Sequence, residues 1–275
     1  MAYEMIVLDL DGTLTNSQKV ITPKTKQALM KIQEEGIKVV LASGRPTAGI
    51  LNLSKELCLD KYEGYILSFN GARIIDVKTK EVIYNKVLPK EMIPDIFDEV
   101  KKLKVGILTY EENEIIIGNG MDKYNQLESK VNGIPTREVD DFASYITFPV
   151  NKCLLTGHPK KILYAEDVLK EKFGEYLNIY KSEPFFLEIM PKNIDKAYSL
   201  SKLLDHIGIT RKQMICCGDG YNDLTMIRFA GLGVAMKNAQ EDVKREADFI
   251  TYSNDEDGIA YVIEKFIEKE SEYGF

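Results

Sequence analysis

The chain has 275 residues, which is enough for one large domain or two of ordinary size. It is 44% hydrophobic and 29% charged, a composition typical of globular proteins that excludes disorder, collagen-like repeats and small disulfide scaffolds. Its net charge of −7 makes nucleic acids and anionic membranes poor partners. An anionic ligand would therefore need a local cationic cluster or a bound cation.

Several other classes of protein are also disfavoured. No apolar stretch reaches the roughly 18 residues of a membrane span, and we expect no secretory leader before the first apolar run. The four cysteines lack metal-binding or redox spacing, so we expect reduced, buried thiols in a cytoplasmic protein. The two histidines, His158 and His206, lie outside zinc motifs, which argues against a zinc hydrolase and a serine–histidine–aspartate triad.

In chain order, short apolar runs alternate with helical patterns at both ends of the sequence. The runs predict strands buried on both faces, at residues 5–10, 37–42, 65–69, 214–217 and 232–235. Thr22 and Pro23 predict the start of a helix that ends at Gly36, and Asn193 predicts the start of one that ends at Gly208. This alternation predicts an α/β fold with a doubly wound parallel sheet.

The middle of the chain has a different pattern. Residues 74–87 and 105–118 predict hairpins. Two helix-then-strand units follow, one at residues 122–131 and one with a helix at residues 160–173 that leads into a strand at residues 177–180. We therefore predict a second, α+β unit at residues 83–189, inserted into a core formed by residues 1–82 and 190–275.

Two carboxylates lie at the end of the first predicted strand, in the segment Asp9-Leu10-Asp11-Gly12-Thr13. Alternate strand residues point to one side, so Asp9 and Asp11 can meet at the carboxyl edge, where open α/β sheets bind ligands. Two like charges that close require a cation or a shared proton. Gly12 permits a sharp turn after the pair. The alternative interpretation is a solvated turn that closes the strand.

Two further strand ends carry groups suited to phosphate chemistry. The hydroxyl and amides of Ser43-Gly44-Arg45 can cradle an anion, and Arg45 contacts either the substrate or a surface carboxylate. Asp219 and Asp223 lie four residues apart after the strand 214–217, where they can offer hard oxygen ligands to Mg²⁺. A turn with a helix cap is the structural alternative for the segment Gly218-Asp219-Gly220-Tyr221-Asn222-Asp223.

These segments resemble the motifs of the haloacid dehalogenase superfamily, DxDx[TV] at Asp9 and GDxxND at Gly218. The resemblance implies that Asp9 is the nucleophile that accepts a phosphoryl group and that Asp11 is the general acid and base. An aspartate at position 11 points to phosphoryl transfer rather than dehalogenation, and Thr13 favours the phosphatase branch. The resemblance also implies that the phosphate or substrate contacts Leu10, Ser43, Gly44, Arg45, Lys196 and Asn222.

The same resemblance implies a catalytic lysine and a metal site. Lys196 would contact both the nucleophile and the transferring phosphoryl group, with Lys192 as the alternative. Mg²⁺ would be bound by Asp219, the Asp9 carboxylate and the backbone carbonyl of Asp11, and Asp223 would orient the ligand shell.

The insertion between Ser43 and Lys196 occupies the position of a C2 cap and resembles the Cof-type branch, subfamily IIB. This implies a Rossmann-like core with an inserted α+β C2 cap that sets substrate specificity. The implied function is a Mg²⁺-dependent phosphatase for small phosphomonoesters, either sugar phosphates or phosphorylated cofactors, that forms an aspartyl-phosphate. A phosphomutase and a non-catalytic sensor of phosphorylated metabolites are the alternatives.

We expect a cytoplasmic protein, a monomer or weak homodimer, that binds neither nucleic acid nor membrane. In the predicted cap, Lys152, His158, Phe185 and Phe186 either line the substrate pocket or belong to the cap core and surface.

Overall fold

The apolar runs at both ends of the chain are strands in the computed structural model, which describes residues 3–268. In chain order, the strands are β1 (Met5–Leu8), β2 (Lys38–Ala42), β3 (Tyr65–Ser68), β4 (Arg73–Asp76), β5 (Val82–Asn85), β6 (Gly106–Glu111), β7 (Glu114–Gly118), β8 (Thr136–Glu138), β9 (Cys153–Thr156), β10 (Leu177–Glu183), β11 (Phe186–Pro191), β12 (Met214–Gly218), β13 (Leu232–Ala235) and β14 (Phe249–Ile250).

Helices connect most of these strands. They are α1 (Pro23–Glu34), α2 (Thr47–Glu56), α3 (Ile93–Leu103), α4 (Lys123–Asn132), α5 (Phe142–Tyr145), α6 (Pro159–Phe173), α7 (Lys196–Ile207), α8 (Leu224–Phe229), α9 (Glu241–Glu246) and α10 (Gly258–Ile263). Short 3₁₀ turns cover Phe69–Gly71, Lys90–Met92, Arg211–Gln213, Tyr221–Asp223 and Asn254–Glu256, and a π-helical turn covers Glu264–Glu268.

The residues form two structural units. The first unit contains the described residues of Met1–Arg45, Ile50–Tyr84 and Asp195–Phe275, and the second contains Pro46–Gly49 and Asn85–Ile194. Residues 1–2 and 269–275, which the sequence assigns to the core, lie outside the described residues.

The first unit is built on an eight-stranded sheet with the order β14-β13-β12-β1-β2-β3-β4-β5. The central strand β1 pairs in parallel with β2 and β12, and every residue of β1 is buried. The strands from β14 to β3 are parallel, whereas β4 runs antiparallel to β3. This architecture confirms the predicted α/β fold class, and it brings the carboxyl ends of β1, β2 and β12 to one edge.

The second unit is built on a six-stranded sheet with the order β10-β11-β9-β6-β7-β8. Most of its pairs are antiparallel, including the predicted hairpin of β6 and β7, in which Thr109 lies opposite Ile116. Apolar side chains of the sheet pack against those of α3, α5 and α6, where Phe142 and Ile162 are fully buried. By contrast, both strands of the predicted hairpin at 74–87, β4 and β5, belong to the first sheet.

Two helix starts show how capping sets the bounds of these elements. The Thr22 side chain accepts a hydrogen bond from the amide of Thr25 at 3.2 Å, so α1 begins where its sequence predicts. The prediction that Asn193 opens α7 is wrong. The Asp195 carboxylate caps this helix by accepting from the amide of Tyr198 at 2.9 Å, whereas Asn193 has a left-handed backbone with φ of 55°.

The cysteines and the apolar character of the helices complete the description of the fold. Cys153, Cys216 and Cys217 are buried free thiols, but Cys58 is only partly buried, which corrects the prediction for that residue. Among residues 3–268, no helix combines the length and the apolar character needed to cross a membrane.

Candidate active site

The first predicted motif forms a tight loop directly after β1. Because β1 ends at Leu8, strand alternation does not govern Asp9 and Asp11, and their carboxylates have different partners. The carbonyl of Leu10 accepts hydrogen bonds from both the amide and the hydroxyl of Thr15 at 2.9 Å. The side chain of Leu10 is fully buried in the apolar core, so only its backbone is available for the predicted substrate contact.

A buried ion-pair cluster connects three of the predicted motifs. The ammonium of Lys196 donates to Asp9 Oδ1 at 2.7 Å, to Asp223 Oδ1 at 2.6 Å and to the carbonyl of Ala42 at 2.8 Å. Lys196 is the first residue of α7 and is fully buried, so these acceptors replace its lost hydration. Lys196, and not Lys192, is therefore the lysine that contacts the predicted nucleophile.

The charges of this cluster shift its pKa values. Burial lowers the pKa of Lys196, but the carboxylates of Asp223 and Asp9 outweigh that effect and raise it overall, so Lys196 is cationic at neutral pH. Burial and the charges of Asp223 and Asp219 raise the pKa of Asp9 well above its ordinary value, although Lys196 opposes the shift.

Asp219 approaches the first motif from the end of β12. Its Oδ1 accepts a hydrogen bond from the hydroxyl of Thr13 at 2.8 Å. Gly12 has φ of +89°, and a Cβ there would lie 2.4 Å from Asp219 Oδ2, so both the turn and the close approach require glycine. Burial raises the pKa of Asp219 to about 6, and Asp223 contributes to the rise.

These side chains form a chemically suitable site for a divalent cation. Carboxylate oxygens of Asp9, Asp219 and Asp223 all lie within 4.8 Å of one another. The three carboxylates and the single ammonium of Lys196 leave two uncompensated negative charges, consistent with the raised pKa values of Asp9 and Asp219. Hard oxygen ligands and this excess charge fit Mg²⁺. The Asp11 carboxylate is not part of the cluster.

Asp223 is more constrained than its predicted role implies. Its Oδ2 accepts hydrogen bonds from the amides of Asp219 and Gly220, both at 2.9 Å, while its Oδ1 accepts from Lys196. The side chain is fully buried. Asp223 therefore holds the loop after β12 and the Lys196 ammonium in position, and it contributes one of the three clustered carboxylates.

Asp11 is held by two cations at the more exposed side of the same loop. Arg45 donates from Nε to Asp11 Oδ2 at 2.8 Å and from Nη2 to Oδ1 at 2.6 Å, and Lys19 donates to Oδ1 at 2.8 Å. Burial raises the pKa of Asp11, but Arg45 and Lys19 outweigh that effect and lower it overall. Arg45 thus pairs with a carboxylate, and that carboxylate is the predicted acid and base.

The second motif lies where β2 ends. The Ser43 hydroxyl accepts a hydrogen bond from the amide of Arg45 at 3.1 Å and is largely buried. A Cβ on Gly44 would lie 3.1 Å from Asn70 Oδ1, which in turn accepts a hydrogen bond from Asn222 Nδ2 at 3.1 Å. Asn70 thus connects the segment Ser43-Gly44-Arg45 to the exposed Asn222 in the segment that follows β12.

Sequence reasoning missed Asn70 and Lys19 as site residues. Asn70 had a usable signal, because an Asn-Gly pair after a buried strand predicts a left-handed residue, and Asn70 has φ of 52°. Lys19 had none, since it lies in an irregular segment with no motif spacing relative to Asp11.

The four candidate residues of the second unit have local partners. Lys152 is buried, with Nζ 3.5 Å from Glu188 Oε1, and Phe186 is also buried. His158 caps α6 by accepting from the amide of Lys160 at 3.3 Å, and Phe185 stacks on Tyr124 with ring centroids 4.9 Å apart. These contacts account for the four side chains within their own unit.

Comparisons with known proteins agree along nearly the whole chain. The sequence model described as haloacid dehalogenase-like hydrolase matches residues 6–263. A solved haloacid dehalogenase-like hydrolase from Bacteroides thetaiotaomicron is 50% identical, with a TM-score of 0.93, over 96% of this chain and 99% of that one. The subclass IIB sugar phosphatase BT4131 is 27% identical, with a TM-score of 0.79, over 96% and 98% of the two chains. The 5-amino-6-(5-phospho-D-ribitylamino)uracil phosphatase YcsE of Bacillus subtilis is 28% identical over 96% of each chain.

Proposed function

Because this chain belongs to the haloacid dehalogenase-like hydrolases and is a phosphatase of small phosphorylated substrates, we propose that Asp9 is its nucleophile. The observation that carries this proposal is the pair of contacts from buried Lys196 to Asp9 and Asp223. A cation fixed against one carboxylate oxygen orients the side chain and favours its ionised form. Lys196 is also suited to offset the charge of a phosphoryl group that approaches Asp9.

In the proposed reaction, an Asp9 oxygen forms a bond to phosphorus while the bond from phosphorus to the substrate oxygen breaks. Asp11, after it has taken up a proton from solvent, gives that proton to the departing oxygen, which leaves as an alcohol. Asp11 then takes a proton from water, and that water attacks the aspartyl-phosphate, releasing inorganic phosphate and restoring Asp9. The fixed positive charge of Lys196 stabilises the transfer without rearrangement.

Arg45 and Lys19 set the protonation state of Asp11 before the proposed reaction begins. Together they hold it ionised, because they lower its pKa. An ionised Asp11 is ready to accept a proton from water. To act as an acid, it must first gain a proton, and weaker contact with Arg45 and Lys19 would favour that state.

We further propose that the enzyme depends on Mg²⁺, held by the clustered carboxylates of Asp9, Asp219 and Asp223. When bound, Mg²⁺ would offset both the excess charge of this cluster and the charge of the substrate phosphoryl group. Thr13 orients Asp219 for this purpose, and Asp223 fixes the loop that carries Asp219.

The substrates that we propose are sugar phosphates or phosphorylated cofactors, and the second unit is proposed as the cap that sets specificity. The support comes from two relatives, one named as a sugar phosphatase and the other as the phosphatase of a phosphoribityl compound. A cytoplasmic location and a monomeric or weakly dimeric state remain part of the same proposal.

The test is phosphate release from a panel of sugar phosphates, flavin mononucleotide, pyridoxal phosphate and an aryl phosphate, each with Mg²⁺ and with chelator. We expect Mg²⁺-dependent release without a bisphosphate activator, which also separates hydrolysis from mutase activity.

Asp9→Asn should reduce turnover by at least about a thousandfold, because it removes the nucleophile. Its circular dichroism spectrum should match that of the wild type. Substantial turnover in a pure Asp9→Asn preparation would contradict the mechanism.

A further inference from the structure

The short turn Phe69–Gly71 follows β3 and is held from two sides within the first unit. On one side, the amide of Asn70 donates to the carbonyl of Ser43 at 2.9 Å. On the other side, the Ser199 hydroxyl donates to the carbonyl of Gly71 at 2.5 Å. The turn is therefore fixed between the end of β2 and the start of α7.

The side chain of Asn70 lies over the backbone of Gly44. A Cβ on Gly44 would be 3.1 Å from Asn70 Oδ1 and 3.2 Å from Asn70 Nδ2, so the carboxamide occupies the space that a side chain would take there. Asn70 has φ of 52°, a left-handed conformation that asparagine and glycine adopt more readily than other residues. The turn thus places a neutral polar group beside a residue that the family resemblance implies contacts phosphate.

The same carboxamide sets the orientation of Asn222, in the turn after β12. Asn222 Nδ2 donates to Asn70 Oδ1 at 3.1 Å, whereas Asn222 Oδ1 points back toward its own turn, where a Cβ on Gly220 would lie 2.6 Å from it. Among residues 3–268, the Asn222 side chain makes no other hydrogen bond, and it is exposed. One N–H of this carboxamide is therefore engaged by Asn70, and the other is available to a ligand.

We propose that Asn70 is a positioning residue of the phosphate site, an inference that rests on the proposed phosphatase function. By holding one N–H of Asn222, it directs the other N–H to an anion bound at Gly44. A carboxamide suits this role because it accepts a hydrogen bond without carrying a negative charge that would repel phosphate. A donor that is oriented in advance also loses less conformational freedom when the anion binds.

The test is the inhibition constant of inorganic phosphate, measured against aryl phosphate hydrolysis by the full chain with Mg²⁺. Asn70→Gly removes the carboxamide but keeps a residue that adopts the left-handed turn, so this constant should rise at least about fivefold. Turnover at saturating substrate should stay within about threefold of wild type, since a phosphate contact made equally before and during the transfer changes KM and not kcat.

Asn119→Gly is the matched control. Asn119 is also left-handed, with φ of 63°, and its Nδ2 donates to the carbonyl of Val105 at 2.7 Å in the second unit. This variant therefore loses a side-chain hydrogen bond at a left-handed asparagine that lies outside the predicted motifs. It should change the inhibition constant of phosphate by less than about twofold.

Two further variants separate positioning from a general structural effect. Asn222→Ala should raise the inhibition constant at least about tenfold, and adding Asn70→Gly to it should raise the constant by less than about twofold more, because Asn70 acts through Asn222. Asn70→Asp keeps an acceptor for Asn222 but places a negative charge beside Gly44, so phosphate should bind at least about tenfold more weakly than to wild type.

Three results would overturn the proposal and leave the phosphatase function intact. They are a wild-type inhibition constant in Asn70→Gly, a wild-type constant in Asn70→Asp, and effects of Asn70→Gly and Asn222→Ala that multiply in the double variant. Absence of phosphate release by the wild-type protein would instead overturn the proposed function, and this inference with it.

Discussion

Two buried lysines, one in each structural unit, are held in different ways. Lys196 is fully buried and has three oxygen acceptors at 2.6–2.8 Å, two of them carboxylates. Lys152 is nearly as buried, but its Nζ lies 3.5 Å from Glu188 and 5.5 Å from the centre of the Tyr110 ring. The other oxygen of Glu188 accepts from the Tyr180 hydroxyl at 3.0 Å.

The difference lies in the balance of charge. Around Lys196, three carboxylates face one ammonium, and burial together with the charges of the neighbouring carboxylates raises the pKa of Asp9 and Asp219. The Lys152 and Glu188 pair is neutral by itself, and Tyr180 adds a hydrogen bond without adding charge. A buried ion pair whose charges balance needs no further ion, whereas a cluster with surplus negative charge is suited to bind a cation.

The largest expected effect is that of Lys196→Met. Removing the ammonium leaves Asp9 and Asp223 buried without a counterion, which should lower the free energy of unfolding by about 3–5 kcal/mol. Turnover should fall by at least about a thousandfold, because the nucleophile loses its orienting cation. Denaturant unfolding and phosphate release measure the two effects.

Lys152→Met is the matched control for that variant, since it removes a buried lysine from a neutral pair. It should also lose stability, but Mg²⁺-dependent turnover should stay within about tenfold of wild type. Equal losses of turnover in the two variants would show that the contrast between the two lysines has no catalytic meaning.

Asp219→Asn tests the surplus charge directly. In metal-free protein, the raised pKa of Asp219 means that its charge costs stability at neutral pH, by at most about 3 kcal/mol. Because the folded pKa exceeds the unfolded one, this cost is absent below about pH 4, grows as the pH rises, and is complete above about pH 6. The variant should therefore melt higher than wild type at pH 7.5 without metal.

Added Mg²⁺ should reverse that order. Wild type should gain melting temperature with increasing Mg²⁺, since a ligand that binds only the folded state stabilises it, while Asp219→Asn should gain little. Melting curves with Mg²⁺ and with chelator measure both effects. A variant that responds to Mg²⁺ like the wild type would exclude Asp219 as a ligand.

In the second unit, Glu188→Gln should have a smaller effect. The change removes the charge opposite Lys152 but keeps an acceptor for Tyr180, so we expect a loss of about 1–3 kcal/mol in unfolding free energy. Chemical denaturation provides the measurement. Tyr180→Phe is its partner variant, because it removes only the neutral hydrogen bond and should cost less.

Much of the fold follows from the sequence because its strands are buried on both faces. Runs such as Met5–Leu8 and Leu232–Ala235 are apolar at every position or nearly so, and glycine and aspartate residues end them. The sequence predicts the wrong start for α7, because Asn193 and Asp195 both belong to residue types that commonly cap helices. In the structure, Asn193 has a left-handed backbone, and Asp195 caps the helix instead.

The candidate site also has a part that the sequence predicts and a part that it does not. The resemblance to the haloacid dehalogenase motifs pointed to Asp9, Lys196 and Asp219, and the structure places Asp9 next to both of the others. The separation of Asp11 from Asp9 could not be foreseen, because it depends on Arg45 and on Lys19, which reaches Asp11 from an irregular segment. Long side chains that converge from different loops leave no periodic signal in the sequence.

Lys19→Met is expected to have the smallest effect, and it extends the comparison to an exposed pair. The Lys19 side chain is 61% exposed, so solvent screens its contact with Asp11, and the stability change should stay below about 1 kcal/mol. The pKa of Asp11 should nevertheless rise toward its ordinary value, because one of its two cations is lost. Carboxyl NMR titration measures this shift, which should shrink at high salt. A stability loss as large as that of Lys196→Met would contradict this comparison. It would show that burial and surplus charge do not distinguish the cluster around Lys196 from other contacts between a lysine and a carboxylate.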